Sequence, residues 1–249
     1  MILTYKNTGE TPLQALERVR MENGIALETP MTYAGRLDPL VEGLLVILVG
    51  EECKTKDDYT NLDKVYEFEI LSGFSTDTYD LLGLVTAHAF GAQIDIELVK
   101  KYLEENKKVV TQKYPPYSSK TVDGKQLHQH AREGSHPEVM HEVELKAWEF
   151  LGERTLTGTE VLKSIKGRIS LVSGDFRQEE ILKTWRDVFV AAPDQTFQIT
   201  KWKVTVSSGF YIRQLVEDIG THCGVPTVTF HIKRTQIGNW TDESAILTA

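Results

Sequence analysis

The chain has 249 residues, of which 41% are hydrophobic and 26% charged, and its formal net charge is −8. The longest apolar run, from Gly43 to Gly50, is too short to span a bilayer, and the first residues lack the basic start and apolar stretch of a signal peptide. These features argue against a membrane-spanning or secreted protein and predict a cytoplasmic one, while the acidic balance alone argues against a nucleic-acid partner.

The first third of the chain predicts a helix and then a strand. Thr11 can cap a helix that starts at Pro12, Gln14 completes a capping box, and Gly24 is expected to end the helix. Apolar residues recur in it at helical spacing at Leu13, Leu16 and Val19. A strand is predicted for residues 65–71, because apolar and acidic residues alternate there.

Helices and strands continue to alternate in the rest of the chain. Asp95 is expected to cap a second helix. Its inward residues are predicted to be Leu98, Val99, Tyr102 and Leu103. The alternation from Ile199 to Val206 predicts a strand, and the spacing after Tyr211 predicts a helix that ends by Gly224.

The order of these elements has no strict βαβ rhythm. It predicts an α+β fold with a large mixed, mainly antiparallel sheet flanked by helices and loops. The segment from about residue 152 to residue 193 contains a helix-like stretch and is expected to be an insertion or small subdomain. We otherwise expect a single domain over residues 1–249.

One aspartate stands in an unusual setting. Asp38 lies in a loop bounded by glycine and proline, immediately before the apolar run, and Pro39 restricts it to extended backbone. A carboxylate held on a loop beside a rigid strand suits nucleophilic catalysis. A turn or capping aspartate is the commoner interpretation of these few letters, and the local sequence leaves both open.

Four further segments occur together with the Asp38 loop. They are Lys6–Thr11, Lys64–Gly83, Pro115–Gly134, and Ser207–Gly220 with His231–Gly238. In this order they resemble the motifs of the TruB family of tRNA pseudouridine synthases across nearly the whole chain. The resemblance implies the pseudouridine synthase fold and the conversion of a uridine in the TΨC arm of tRNA to pseudouridine, with no cofactor and no metal.

The resemblance also implies roles for individual residues. Asp38 matches the catalytic aspartate, Arg213 the arginine that pairs with it through a bidentate contact, and Tyr66 the active-site tyrosine that stacks on a flipped base. Further substrate-binding residues are expected at Tyr33, Lys64, Asp80, Lys120, Ile232 and Arg234. Tyr33 stands where the family usually has histidine, and the chain ends soon after Trp240, so we expect no C-terminal PUA domain.

The charge distribution is compatible with an RNA partner. Residues 100–134 hold eight basic and four acidic side chains, and residues 201–240 hold five and two. Four histidines fall within one short stretch, at His128, His130, His136 and His141, but no cysteine or carboxylate spacing supports a metal site there. We expect a monomer that binds tRNA; a synthase for ribosomal RNA and a non-catalytic RNA-binding protein are the alternatives.

Overall fold

The computed structural model describes residues 1–135 and 137–242. Its strands are β1 (Ile2–Lys6), β2 (Met31–Ala34), β3 (Glu42–Val49), β4 (Lys64–Ser72), β5 (Phe74–Thr76), β6 (Val85–His88), β7 (Lys108–Lys113), β8 (Thr121–Val122), β9 (Lys125–Gln126), β10 (Met140–Thr157), β11 (Thr196–Val206), β12 (Thr227–Ile237) and β13 (Trp240–Thr241). Its α-helices are α1 (Pro12–Glu22), α2 (Lys56–Thr60), α3 (Ile96–Glu105), α4 (Leu127–Arg132), α5 (Gly158–Ile169), α6 (Gln178–Val190) and α7 (Ile212–Cys223). A short 3-10 helix covers Gly50–Thr55.

Nine of these strands form one sheet in the described part of the chain. The order is β1-β3-β12-β4-β11-β10-β7, with β2 beside β3 and β13 beside β12. The β3–β12 pair is parallel and the other pairs are antiparallel, so the predicted mixed, mainly antiparallel sheet is confirmed. None of the described helices has the length and apolarity needed to cross a membrane.

The predicted helix boundaries agree closely with the structure. Thr11 caps α1, and Gln14 completes the capping box. Asp95 caps α3, and α7 ends at Gly224, whose φ of +67° is the left-handed geometry that glycine tolerates best. The inward position predicted for Leu98 is wrong, because Leu98 is 41% exposed. Leu13, which shares the helical spacing of the apolar residues in α1, is 58% exposed.

Helices α3 and α7 cover one face of the sheet. Phe68 on β4 and Trp202 on β11 pack in the same buried cluster as Ile212, Val216 and Ile219 of α7. Burial of such large apolar side chains is the main contribution to stability in a layered α+β core. The layer also fixes α7 against the sheet, and α7 carries Arg213 in its first turn.

The segment between β10 and β11 is a helical hairpin formed by α5 and α6. It packs on the molecule through a second buried cluster, in which Trp185 and Phe189 of α6 lie 5.5 Å and 5.1 Å from the ring of Phe74. Strand β10 runs on to Thr157, so the first residues of the predicted insertion continue the sheet. The status of the hairpin as an insertion stays a prediction.

Candidate active site

Asp38 lies in the turn between β2 and β3. The backbone N–H of Val41 donates to the Asp38 carbonyl at 3.1 Å, and the buried Lys6 ammonium donates to the carbonyls of Val41 at 2.5 Å and Pro39 at 3.3 Å. These hydrogen bonds fix the backbone of the turn. The Asp38 side chain is 33% exposed, so a fixed carboxylate reaches an open surface.

Arg213 contacts Asp38 from the start of α7. Its Nε donates to Asp38 Oδ2 at 2.9 Å, and the side chain is 3% exposed. The predicted bidentate contact is wrong, because the other two guanidinium nitrogens donate to the carbonyls of Thr78 at 2.7 Å and Tyr117 at 2.9 Å. Arg213 therefore joins three segments of the chain and aims Asp38 through a single charge-assisted hydrogen bond.

A second carboxylate shares this arginine. Asp80 Oδ2 lies 3.7 Å from Arg213 Nε, and Asp80 Oδ1 accepts hydrogen bonds from Thr78 Oγ1 at 2.8 Å and from the Leu82 N–H at 2.9 Å. Burial raises the pKa of Asp80 above its ordinary value, although the guanidinium of Arg213 acts in the opposite direction. Arg213 thus lies between two carboxylates, the partly exposed Asp38 and the buried Asp80.

The start of α7 is held by a side chain from β7. The buried Gln112 donates from Nε2 to the Tyr211 carbonyl at 3.0 Å and accepts from the Tyr211 N–H at 2.8 Å. The contact satisfies the Tyr211 N–H, one of the backbone donors that a helix N-terminus leaves open, while the Tyr211 carbonyl also accepts from the Leu215 N–H. It also limits the movement of Arg213 relative to Asp38.

A cavity of about 220 Å³ opens beside Asp38, and we call it the target cavity. Its walls include Asp38, Lys64, Tyr66, Arg213, Ile232 and Arg234. The strand register explains this gathering: Tyr66 on β4 is paired with Arg234 on β12, and Lys64 and Ile232 lie two residues along the same faces of their strands. Five of the predicted site residues thus join Arg213 at one opening.

The target cavity has a cationic floor. Arg234 is 1% exposed; it donates to the carbonyls of Leu44 at 2.8 Å and Gly35 at 3.0 Å, and its Nη1 lies 3.5 Å from the Tyr66 hydroxyl. Lys64 donates to the carbonyls of Thr60 and Leu62. Within residues 1–135 and 137–242, neither cation forms an ion pair with a carboxylate. The floor can therefore stabilise negative charge that develops above it.

Two glycines permit this arrangement of Arg234. A Cβ on Gly43, whose φ is +116°, would lie 2.2 Å from the Arg234 carbonyl oxygen. A Cβ on Gly35, whose φ is +77°, would lie 3.3 Å from the Arg234 guanidinium. Both positions therefore require glycine, for its left-handed backbone and for the close approach.

The structure does not bring Tyr33 and Lys120 to the cavity. Tyr33 lies on β2, with the Lys56 ammonium 5.6 Å from its ring, and it lines neither hollow beside Asp38. Lys120 is exposed and lies 5.3 Å from the Tyr114 ring. Their roles in substrate binding stay predictions.

Other residues at the site were missed by the sequence analysis. Arg36 is exposed, lines both hollows beside Asp38 and forms no ion pair or hydrogen bond with a described residue. Its position two residues before Asp38 was a signal that could have been used. Arg177, from the turn of the helical hairpin, also reaches the site, but no motif in the sequence connects it with Asp38.

The histidine-rich stretch does not form a metal site in the described residues. No three His, Cys, Asp or Glu side chains converge there as ligands. The imidazoles of His128 and His130 instead lie within hydrogen-bond distance of the carbonyls of Ser118 and Val122. His136 lies outside the described residues.

The buried lysines predict an unusual dependence of stability on pH. Burial lowers the pKa of Lys64 and of Lys6 from 10.5 to about 8. Between these values the unfolded chain binds protons that the folded chain does not, so the free energy of unfolding should rise from about pH 8 to pH 10, by about 1–3 kcal/mol per lysine. Above about pH 10 it should fall again, because burial raises the pKa of Tyr102 and Tyr211 to about 12.

Urea unfolding at a series of pH values tests this expectation. Lys64→Met should remove about half of the rise, whereas Lys54→Met, at an exposed lysine, should leave it unchanged. A free energy of unfolding that stays flat between pH 8 and pH 10 in the wild type would show that these ammonium groups are solvated.

Comparison with protein families places this site in a known context. Residues 26–156 match the model of the TruB family pseudouridylate synthase (N terminal domain). The chain is 30% identical over 246 residues to the tRNA pseudouridine synthase B of Thermobifida fusca, covering 98% of this chain and 71% of that protein. It is 25% identical over 245 residues to the enzyme of the same name from Aquifex aeolicus, covering 98% and 70%.

Solved structures share the fold at low sequence identity. A chain of a Cbf5–Nop10–Gar1 complex matches with a TM-score of 0.57 and 14% identity, covering 97% of this chain and 49% of that one. A chain of an H/ACA RNP bound to a substrate RNA containing 2′-deoxyuridine matches with a TM-score of 0.55 and 13% identity, covering 97% and 48%. The present chain therefore spans about half the length of these solved chains, and the likeness concerns the fold alone.

Proposed function

Because the chain belongs to the TruB family of pseudouridylate synthases, we propose that it converts a uridine in the TΨC arm of tRNA to pseudouridine, with Asp38 as the nucleophile. The observation that carries the proposal is the Asp38–Arg213 contact of 2.9 Å at the mouth of the cavity that Tyr66 lines. A charged partner on one carboxylate oxygen fixes the orientation of the group and leaves the other oxygen free to attack. Action as a monomer in the cytoplasm stays a prediction.

The reaction is an isomerisation, so its atoms balance without a cofactor. The carbon–nitrogen bond between ribose and uracil breaks, the base turns, and a carbon–carbon bond forms between the same sugar and the same base. The base carbon that forms the new bond loses a proton, and the nitrogen released from the sugar gains one. Asp38 forms a bond to the sugar or to the base in a covalent intermediate, and that bond breaks again when the product forms, which regenerates the carboxylate.

Tyr66 and Ile232 support the uridine in the target cavity. A base inside a stacked RNA loop cannot reach Asp38, and removing it from the stack costs a few kcal/mol. Contact with the buried face of Tyr66 offsets part of that cost, and Ile232 adds apolar surface to the same cavity.

The cationic floor serves the bond-breaking step. When the carbon–nitrogen bond breaks, the nitrogen keeps the electron pair, and negative charge spreads over the uracil ring. Lys64 and Arg234 lie along the cavity that holds the ring and have no carboxylate partner among the described residues. Fixed cations and donors of this kind lower the barrier because they need no rearrangement as the charge develops.

Chemical mapping of pseudouridine tests the proposed function. The purified protein is incubated with unmodified tRNA transcripts and, separately, with ribosomal RNA fragments. A new pseudouridine in the TΨC arm supports the proposal. Modification of ribosomal RNA alone would favour the ribosomal alternative, and RNA binding with no pseudouridine in any RNA would favour a non-catalytic protein.

Salt dependence of RNA binding tests the role of Lys120. This exposed lysine forms no ion pair with a described residue, whereas Lys125 pairs with Glu133 at 2.9 Å. If Lys120 contacts a phosphate, Lys120→Ala should reduce the slope of log affinity against log salt by about 0.9 for a duplex contact or about 0.7 for a single strand. Lys125→Ala, the matched control, should change the slope less; equal slopes in Lys120→Ala and the wild type would place the RNA elsewhere.

A further inference from the structure

A second hollow, of about 350 Å³, is also lined by Asp38, and we call it the flanking cavity. It shares Arg36, Asp38, Ser118 and Arg213 with the target cavity, so the two hollows meet at the carboxylate. Its far wall is the turn of the helical hairpin, residues 175–177. The family model ends at residue 156, before this hairpin begins.

Arg177 connects the hairpin turn to the residues around the flanking cavity. Its Nη1 donates to Asp77 Oδ2 at 2.8 Å, and its guanidinium lies 4.7 Å from the centre of the Tyr117 ring. Tyr117 also supplies a carbonyl to Arg213. The side chain of Arg177 is partly exposed, and its other N–H groups have no acceptor among the described residues. They are available to a ligand in the flanking cavity.

The backbone at Arg177 is strained. Its φ of +62° is left-handed, which costs a residue with a side chain on the order of 1 kcal/mol or more relative to glycine. The turn before it is nevertheless well bonded, because Gln178 Nε2 donates to the carbonyls of Val172 at 3.1 Å and Gly174 at 2.7 Å. Side chains kept in such a conformation are often held there for a function.

Several arginine side chains line the flanking cavity, although the chain as a whole is acidic. Arg36, Arg132 and Arg177 line it, and Asp175 is the acidic residue there that lies outside the Asp38–Arg213–Asp80 group. Arg132 donates to the Asp175 backbone carbonyl at 3.0 Å, and the Asp175 carboxylate accepts from the Arg177 backbone N–H at 3.4 Å. Asp77 compensates the charge of Arg177, but Arg36 forms no ion pair with a described residue, so the three guanidinium groups can together bind an anionic ligand.

We propose that the hairpin turn is part of the RNA-binding surface and that Arg177 binds a backbone phosphate of a nucleotide next to the target uridine. The inference rests on the proposed function, since RNA that presents a uridine to Asp38 must continue past it. The flanking cavity shares the Asp38 carboxylate with the target cavity, and a guanidinium there matches the geometry of a phosphate. The hairpin then holds substrate as well as packing against the sheet.

Salt titrations with paired variants test this proposal. Binding of a labelled TΨC-arm stem-loop is measured in Arg177→Gln, which removes the charge but keeps an amide donor for Asp77. Lys183→Gln removes one charge from the exposed face of the same hairpin, where Lys183 pairs with Asp187, and serves as the matched control. We expect about tenfold weaker binding at low salt and a slope reduced by about 0.7–0.9 for Arg177→Gln, with Lys183→Gln unchanged.

The Asp77→Asn variant distinguishes two roles of Arg177, binding RNA and anchoring the hairpin. It weakens the bond that holds Arg177 but leaves the cation in place. If Arg177 binds phosphate, the Asp77→Asn variant should bind RNA with the affinity of the wild type. If Arg177 only anchors the hairpin, Asp77→Asn and Arg177→Gln should lose affinity equally. That equal loss, or an unchanged slope in Arg177→Gln, overturns the proposal.

The proposed function is tested separately by wild-type activity. Pseudouridine formation in tRNA by the wild type, combined with an unchanged slope in Arg177→Gln, would overturn the role of the hairpin alone. A reduced slope in a protein that forms no pseudouridine would support the RNA contact and contradict the proposed function.

Discussion

Asp38→Asn is expected to abolish pseudouridine formation and to leave the fold and RNA binding intact. The amide has the shape of the carboxylate but cannot act as the nucleophile, and loss of a nucleophile typically lowers kcat by on the order of 10⁴-fold or more. The Asp38 side chain is partly exposed, and Arg213 keeps Asp80 as a partner, so stability should change little. Single-turnover pseudouridine formation and urea unfolding measure the two effects.

Asp194→Asn provides the matched control for this substitution. Asp194 is exposed, lies in the loop before β11 and lines neither cavity beside Asp38. The same chemical change there should leave activity at the wild-type level. Substantial pseudouridine formation by purified Asp38→Asn would refute the assignment of Asp38 as the nucleophile.

Arg213→Ala is expected to remove activity and also to destabilise the protein. It leaves the buried Asp80 without its cation and removes the donors to the carbonyls of Thr78 and Tyr117. Breaking one side of a buried ion pair costs about 3–5 kcal/mol. Urea unfolding should show this loss, and the loss should exceed that of Asp38→Ala, because Asp38 is the more exposed of the two carboxylates.

A double-mutant cycle measures the contact between Asp38 and Arg213. Once Arg213 is absent, removing Asp38 breaks no further ion pair, so the double variant should be less destabilised than the sum of the single variants. Arg154, which pairs with Glu69 on the sheet, is the control: Arg154→Ala and Asp38→Ala should be additive. Additivity of Asp38→Ala with Arg213→Ala would contradict the observed contact.

The sequence by itself determined the features that depend on local chemistry. The Thr11–Gln14 capping box, the Asp95 cap and the Gly224 stop are decided by residues within a few positions of each other. Alternation along β11 likewise predicted the buried face of that strand, whereas β4 is buried on both faces, including Glu69 on the predicted polar face. Periodicity was less reliable at Leu13 and Leu98, because the width of the buried stripe depends on what packs against the helix.

The resemblance of ordered motifs indicated which side chains meet, but not how they meet. Asp38, Tyr66, Arg213, Ile232 and Arg234 come from distant segments, and the resemblance grouped them correctly around one cavity. It did not indicate that two guanidinium nitrogens of Arg213 donate hydrogen bonds to backbone carbonyls. Hydrogen-bond geometry of this kind depends on the path of neighbouring loops, which no residue type encodes alone.

Only the tertiary structure decided the arrangement of charges around the site and the position of the hairpin turn beside it. Asp80 lies beside Arg213 because the loop after β5 folds under α7, and Lys64 and Arg234 share a cavity floor because of the register between β4 and β12. Arg177 lies 100 residues beyond Asp77 in the chain and meets it because α6 packs on Phe74. Contacts between segments so far apart arise from the packing of whole elements, so local sequence patterns carry no signal for them.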